Sequence, residues 1–570
     1  MNFSKHHPPR RAEKLLEWFI RDELAEEVLG DLEEKFYAVL EEKSAFRAKM
    51  NYWYQVFNYL RPFAIRRKKP SYSNQYAMFR NYSTVAWRNL LKHKMYSFIK
   101  IGGFALGIAA CLLISLYIKD ELSYDKQPVD HGRIYRMLNT ETGQENIQKW
   151  TAFAPPIKEV MENDFPEVEM VGRLIPFDWY DAGNNQVRRE DDPTNLFEQG
   201  FVYGDPELLE ILEIPMVAGS RENALDEPNS VVITQRKADK LFPGEDAVGK
   251  TLILNDNEER PYKITGIIQN RPANSHLQFD YMLTLSGVEF WNGEQASWCC
   301  SNYNPYIKVK EGVDFARLEK KMDIIRDNYL VPYLRRAKNA AADDVAQNRG
   351  VELQPITDIH LKSEGIYDIF PHSDIRIVWI FGTIALFVLL LACINFINLS
   401  TAKSANRARE VGLRKVIGSL RSNIINQFLT ESVIFSGISF LLGIFIARFF
   451  LPYFNTLADK EISFPWLEWW FIPILIGSSI IIGVLAGMYP SFYLSSFKPV
   501  DVLKGTLSRG SRGSVLQSTM VVFQFATSII LIIGAVVVNR QMSFILNSKI
   551  GFDKDQVIIL QGTNTIPFET

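Results

Sequence analysis

The chain has 570 residues, a hydrophobic share of 47% and a net charge of −2. That length exceeds one ordinary domain, and the averages resemble a soluble protein only until the apolar residues are located. They gather in long runs, the mark of membrane spans. The four cysteines (Cys111, Cys299, Cys300 and Cys393) have no C-x-x-C spacing, which argues against a metal centre.

In chain order, residues 1–70 read as a small helical cytoplasmic domain. Leu15, Leu16, Phe19, Leu24, Val28, Leu32, Phe36 and Leu40 recur at three- and four-residue spacings with Glu and Lys between them, an amphipathic pattern. Such a unit either docks a partner or simply packs on itself. Residues 1–42 hold no apolar signal core and no small-residue cleavage site, so the first span is expected to act as the insertion signal. Residues 71–96 form a basic juxtamembrane segment. From Lys43 to Lys100 there are thirteen Lys or Arg and no Asp or Glu. Because this stretch abuts a span, attraction to anionic lipid headgroups explains it, and nucleic-acid binding is not expected.

Five runs are long enough to cross about 30 Å of hydrocarbon: 97–118, 376–400, 432–451, 471–493 and 519–540. Basic residues flank alternate ends, and the positive-inside rule sets the topology. The segments 401–431 and 494–518 are cytoplasmic. The acid-rich segment 119–375, the short loop 452–470 with Trp466, Trp469 and Trp470, and residues 541–570 lie outside. Within 119–375, candidate strands 133–138, 230–234, 251–255, 262–268 and 306–310 mix with helices near Gln235–Phe242 and Phe315–Leu330. That mixture is α+β, with room for two subdomains. The expected fold is therefore an α-helical membrane protein of about five transmembrane helices, with a large α+β extracytoplasmic domain and a small helical cytoplasmic N-terminal domain. An internal repeat links 121-ELSYDKQ-127 to 549-KIGFDKDQ-556, each just past an outward-going helix.

Residues Gly244–Thr251 read GEDAVGKT and satisfy the phosphate-loop pattern. A phosphate loop needs a strand before it and a helix after it; here the helix precedes and the strand follows, so the match reads as a turn. No cofactor, catalytic residue or metal site is expected on the chain. The histidines are scattered, and ionisable groups within the runs are nearly absent, which argues against an ion pathway. The segment 398–432 is too polar for lipid, and it mixes cations with Val411, Leu413, Val416 and Ile417. It predicts a short amphipathic helix with Arg407, Arg414 and Lys415 outward, and with Gly412 and Gly418 as breaks or C-caps. Such a helix fits either a partner-gripping element or a basic anchor on the membrane surface.

This segment, NLSTAKSANRAREVGLRKVIGSLRSNIINQFLTES, resembles the signature of the MacB/FtsX-like ABC transporter permease family, as does AGMYPSFYLSSFKPVDVLKG at 486–505. DKLFPGEDAVGKTLIL and TGIIQNRPANSHLQFDYML resemble the family's periplasmic core domain, and residues 1–65 resemble a permease-prefix domain. The resemblance implies an inner-membrane permease whose ATP is used by a separate cytoplasmic ABC ATPase dimer, with Arg407, Arg409, Glu410, Val411, Gly412, Arg414, Lys415 and Gly418 as the coupling element. It further implies a second permease module or copy, a periplasmic adaptor or regulated periplasmic protein, and a role in efflux or export of a peptide, drug or lipoprotein-type substrate. Two alternatives are a mechanotransmission subunit that regulates a periplasmic partner such as a cell-wall hydrolase, and a membrane-anchored periplasmic binding or sensor protein. Five spans and an early stop read as a truncated two-module member.

Overall fold

The computed structural model describes residues 7–20, 22–59, 72–92, 94–143, 146–176, 181–402, 404–496, 511–548 and 557–558. The chain forms two compact units, Met1–His93 and Lys94–Thr570.

The first unit is helical. Helices Arg10–Phe19, Asp22–Glu42 and Ala45–Asn58 bury Ala12, Leu16, Leu32, Phe36, Ala48, Tyr52 and Val56 against one another. Leu16, Leu32 and Phe36 are core positions that the periodicity marks. Their partners on the third helix, Ala48, Tyr52 and Val56, follow a four-residue period that places one stripe inward. A further helix spans Tyr72–Lys92.

Among the described residues, the second unit holds five helices long and apolar enough to cross a membrane: Lys94–Glu121, Ile375–Ala402, Arg421–Ala458, Phe471–Ser495 and Val515–Asn547. Their packing uses small residues, as expected where lipid removes the hydrophobic drive between helices. A Cβ on Gly443 of the third helix would lie 3.0 Å from the Ala105 carbonyl and 2.9 Å from Ile108 of the first. On Gly487 of the fourth it would lie 2.5 Å from the Ser432 side chain of the third. The third helix has 38 residues, about 57 Å at 1.5 Å per residue. It therefore exceeds the hydrocarbon thickness, and its first turns project beyond it.

Between the first and second apolar helices lies a large α+β domain. The strands join a single 13-stranded sheet. The two subdomains that the length allowed are thus tied by continuous pairing. Strand Ser230–Thr234 runs parallel to Tyr262–Ile268, and Ile134–Thr142 pairs antiparallel with Arg349–Pro355. Helices and loops cover the sheet with apolar layers such as Phe201, Tyr203, Val231 and Ile264 on one side and Leu174, Leu208, Val232 and Met282 on the other. Residues 349–355 return to the first strand late in the chain, so the segment leading to the second apolar helix is anchored in the same sheet that the first helix enters.

Candidate functional site

The segment after the second apolar helix forms the short helix Ser404–Val416. Its sequence predicts outward cations; the structure turns them inward. Arg407 donates two hydrogen bonds to Glu431 of the third apolar helix, at 2.9 and 2.6 Å, and Glu431 is nearly buried. Arg414 bonds Gln427 and also Glu410, the latter at 2.6 Å. Lys415 Nζ donates to the Ser495 carbonyl at 2.7 Å. That carbonyl is an unsatisfied end group of the fourth apolar helix, where a cation is favoured. The reason for the inward turn is local. The third apolar helix offers Glu431 and Gln427 and the end of the fourth offers the Ser495 carbonyl, whereas spacing alone shows only that the cations share a face. Burial acts to lower the Arg407 pKa, but the Glu431 carboxylate outweighs it and holds the guanidinium above its usual value. The Lys415 ammonium is held below its usual value, by burial first and then by Arg421.

Val411 is buried with Ile424, Phe428 and Leu494. Gly412 is not a break, since the helix continues through it to Val416. Gly418 is the C-cap: its φ is +98°, and the amides of Gly418 and Ser419 close onto the carbonyls of Lys415 and Arg414. Glu410 is exposed and paired with Arg414. The side chain of Arg409 lies outside the described residues. Beside these braced cations the element exposes an apolar ledge: Leu413, Val416, Ile417 and Leu420 are 55%, 60%, 76% and 67% exposed. Leu420 is the member of this ledge that the sequence reading missed.

Two ionisable groups inside the apolar helices were also passed over. Lys100 is buried, its ammonium 3.8 Å from the centroid of Phe396 and 4.3 Å from that of Phe435. Tyr96 of the same helix bonds the Leu399 carbonyl. The foot of the first apolar helix is thereby held to the second and third, beside the Arg407–Glu431 pair.

A second polar cluster closes the other end of the same helices. Lys460, just past the third apolar helix, bridges Glu121 at 2.8 Å and Asp120 at 3.2 Å, and donates to the Tyr124 hydroxyl at 2.8 Å. His360, which precedes the second apolar helix, meets the other Glu121 oxygen at 3.0 Å and stacks on Tyr124 with centroids 3.4 Å apart. Burial acts to lower the Lys460 pKa, but bonds to Glu121 and Tyr124 raise it above its usual value. Four residues on, Asp125 accepts from Ser275 Oγ and the His276 amide, both at 3.0 Å. The His276 ring Nδ1 sits 2.9 Å from Asp125 as an ion-pair contact. Burial acts to raise Asp125, yet the His276 charge and these hydrogen bonds hold it below the usual carboxylate range. The junction thus clips the ends of the first and third apolar helices to the α+β domain. Its signal in the sequence was the ELSYDKQ segment, read as a repeat. The second copy, 549–556, lies outside the described residues.

Gly244–Thr251 is the turn between helix Gln235–Leu241 and strand Thr251–Leu254. The Gly249 amide is spent on the Ile264 carbonyl at 2.7 Å, and Lys250 pairs with Glu245 at 3.1 Å. Among the described residues no group of three or more His, Cys, Asp or Glu is placed to hold a metal.

Residues 97–325 match the MacB-like periplasmic core domain family and residues 382–499 match the FtsX-like permease C-terminal family. The chain is a MacB/FtsX-type ABC transporter permease. Among curated relatives, the uncharacterized ABC transporter permease YvrN of Bacillus subtilis is 24% identical over 435 residues, covering 74% of this chain and 98% of YvrN. The macrolide export ATP-binding/permease protein MacB of Campylobacter jejuni is 24% identical over 433 residues, again 74% of this chain but 60% of MacB. The permease thus spans all but the ends of YvrN and less than two thirds of MacB. A solved permease domain from Porphyromonas gingivalis aligns at 19% identity with a TM-score of 0.31, covering 40% of this chain and 91% of that domain. The periplasmic region of MacB from Actinobacillus actinomycetemcomitans aligns at 11% identity with a TM-score of 0.27, covering 41% and 95%. The α+β domain of this permease up to residue 325 falls within the first matched segment, and both the short helix with its ledge and the helices that brace it fall within the second.

Proposed function

We propose that this permease takes up work from a separate cytoplasmic ABC ATPase dimer through the ledge Leu413, Val416, Ile417 and Leu420, and passes it along the apolar helices to a periplasmic domain. The observation that carries the reading is the inversion of the short helix. Arg407, Arg414 and Lys415 are spent on Glu431, Gln427 and the Ser495 carbonyl, which leaves an exposed apolar ledge on a braced element. A membrane anchor would leave its cations free for headgroups. A ledge of exposed aliphatic side chains is suited to a protein pocket.

The orientation in this reading follows from charge. The basic segments around 43–100 and 401–431 face the cytoplasm, and the acid-rich domain lies across the membrane. ATP is hydrolysed on the partner, and two permease copies or modules act together. Export of a peptide, drug or lipoprotein-type substrate is the reading that relatives named for macrolide export support. Ile417→Asp places a charge on the centre of the ledge without touching the braced cations. Co-purification with the cognate ATPase should weaken about tenfold or more, the scale of one interface anchor. Undiminished association would remove the ledge from the account.

A further inference from the structure

Helix Ala45–Asn58 of the N-terminal unit has two apolar faces. One, Ala48, Tyr52 and Val56, is the unit's own core. The other is uncovered: Phe46, Met50, Tyr54 and Phe57 are 73%, 62%, 65% and 55% exposed. At 100° per residue these four and Trp53 fall within an arc of about 100°. Trp53 and Phe57 stack with centroids 5.7 Å apart, so part of the face is already ordered. Arg47 flanks one edge of the arc and Lys49 the other, and both are exposed.

Charge decides what such a face meets. Residues 43–69 carry eight Lys or Arg and no acid, whereas 13–42 carry eleven Asp or Glu and three Lys or Arg. Along the chain the acids end at Glu42, and the aromatic face lies on a helix of the basic stretch that follows. We propose that this face lies in the headgroup region of an anionic lipid leaflet, with Phe46, Met50, Trp53, Tyr54 and Phe57 inserted and Arg47 and Lys49 paired with lipid phosphates. Aromatic insertion between flanking cations is how interfacial helices bind anionic membranes. The acidic helix Asp22–Glu42 then points away from the leaflet, since like charge repels it. The proposal needs the chain to be embedded in a membrane and is independent of any ATPase or substrate.

The test uses the full chain, freed of native cysteines, in nanodiscs rich in phosphatidylglycerol. A nitroxide placed by Met50→Cys should be reached by oxygen and shielded from a water-soluble nickel reagent, while one placed by Glu34→Cys on an acidic helix should show the reverse. The Arg47→Glu/Lys49→Glu pair, both residues solvent-exposed, should lower insertion by about fivefold per basic side chain. Phosphatidylcholine discs should lower it likewise. Equal nickel access at both labelled positions would overturn the proposal. So would depth that is unchanged in phosphatidylcholine, or shielding of the Met50 position that appears only when the ATPase is added, which would mark a protein-binding face. None of these failures bears on the permease reading, because no transport or ATPase activity is measured.

Discussion

Charged side chains in this permease are spent on one another, and the cost of removing one depends on what it leaves behind. Arg136 and Asp368 pair in the α+β domain with both side chains wholly buried, and Arg136 also bonds Gln354 at 2.8 Å. Asp368→Ala strands a buried guanidinium and should destabilise the domain by about 3–5 kcal/mol, readable in denaturant unfolding. Asp125 works differently. Its pKa is depressed in the fold, so its contribution is complete above the ordinary carboxylate pKa and fades as pH falls through the depressed value. Asp125→Asn should therefore cost about 1–3 kcal/mol at neutral pH. The difference from the parent should shrink in acid below the ordinary aspartate range. A difference that stays constant to low pH would show that the pair is not the source. None of these partnerships was legible from spacing, because Asp125 and His276, or Glu121 and His360, meet across long loops of chain. Lys100 was visible within an apolar run, and what the sequence lacked was the pair of rings that receive it.

At the scale of elements, more could be read ahead. The five apolar helices stand close to the runs that length and hydropathy mark, and strands Ser230–Thr234 and Tyr262–Ile268 have the bounds their alternation predicts. The Gly418 cap was legible because glycine at a helix end has one common use. The short helix was legible as an element but not in its facing. Its heptad-scale pattern allows cations out or in, and the acceptors that decide, Glu431 and the Ser495 carbonyl, lie on other helices. The weaker sequence signal of helix Ala45–Asn58 in the N-terminal unit has a related cause. It is apolar on two faces, which blurs a single-stripe pattern. Small residues set the helix spacing, so Gly487→Leu must push the fourth apolar helix off Ser432. That substitution should cost about 1–3 kcal/mol as overpacking and lower the detergent melting temperature, whereas Gly477→Leu, with no neighbouring atom within 4 Å of its added Cβ, should not.

For the molecule as a whole, the first and third apolar helices are fastened at both ends. Near one end Lys100, Tyr96, Arg407 and Glu431 gather; at the other Lys460, Glu121, Asp120, Tyr124 and His360 do. In the proposed mechanism this bracing is what would carry movement of the short helix to the α+β domain. Lys460→Met would leave Asp120 without its ammonium and Glu121 with His360 alone at this junction. It should preserve ATPase association and uncouple it from domain movement, seen as loss of the nucleotide-dependent distance change between labels on the two sides.

The central claim is that the ledge receives the ATPase, and a photo-crosslinking amino acid at Ile417 tests it most directly in membranes holding both proteins. The account predicts a crosslink from Ile417 to the ATPase that changes with nucleotide, and none from Val129, which is 87% exposed in the α+β domain. A crosslink from Val129 with silence at Ile417 would contradict it.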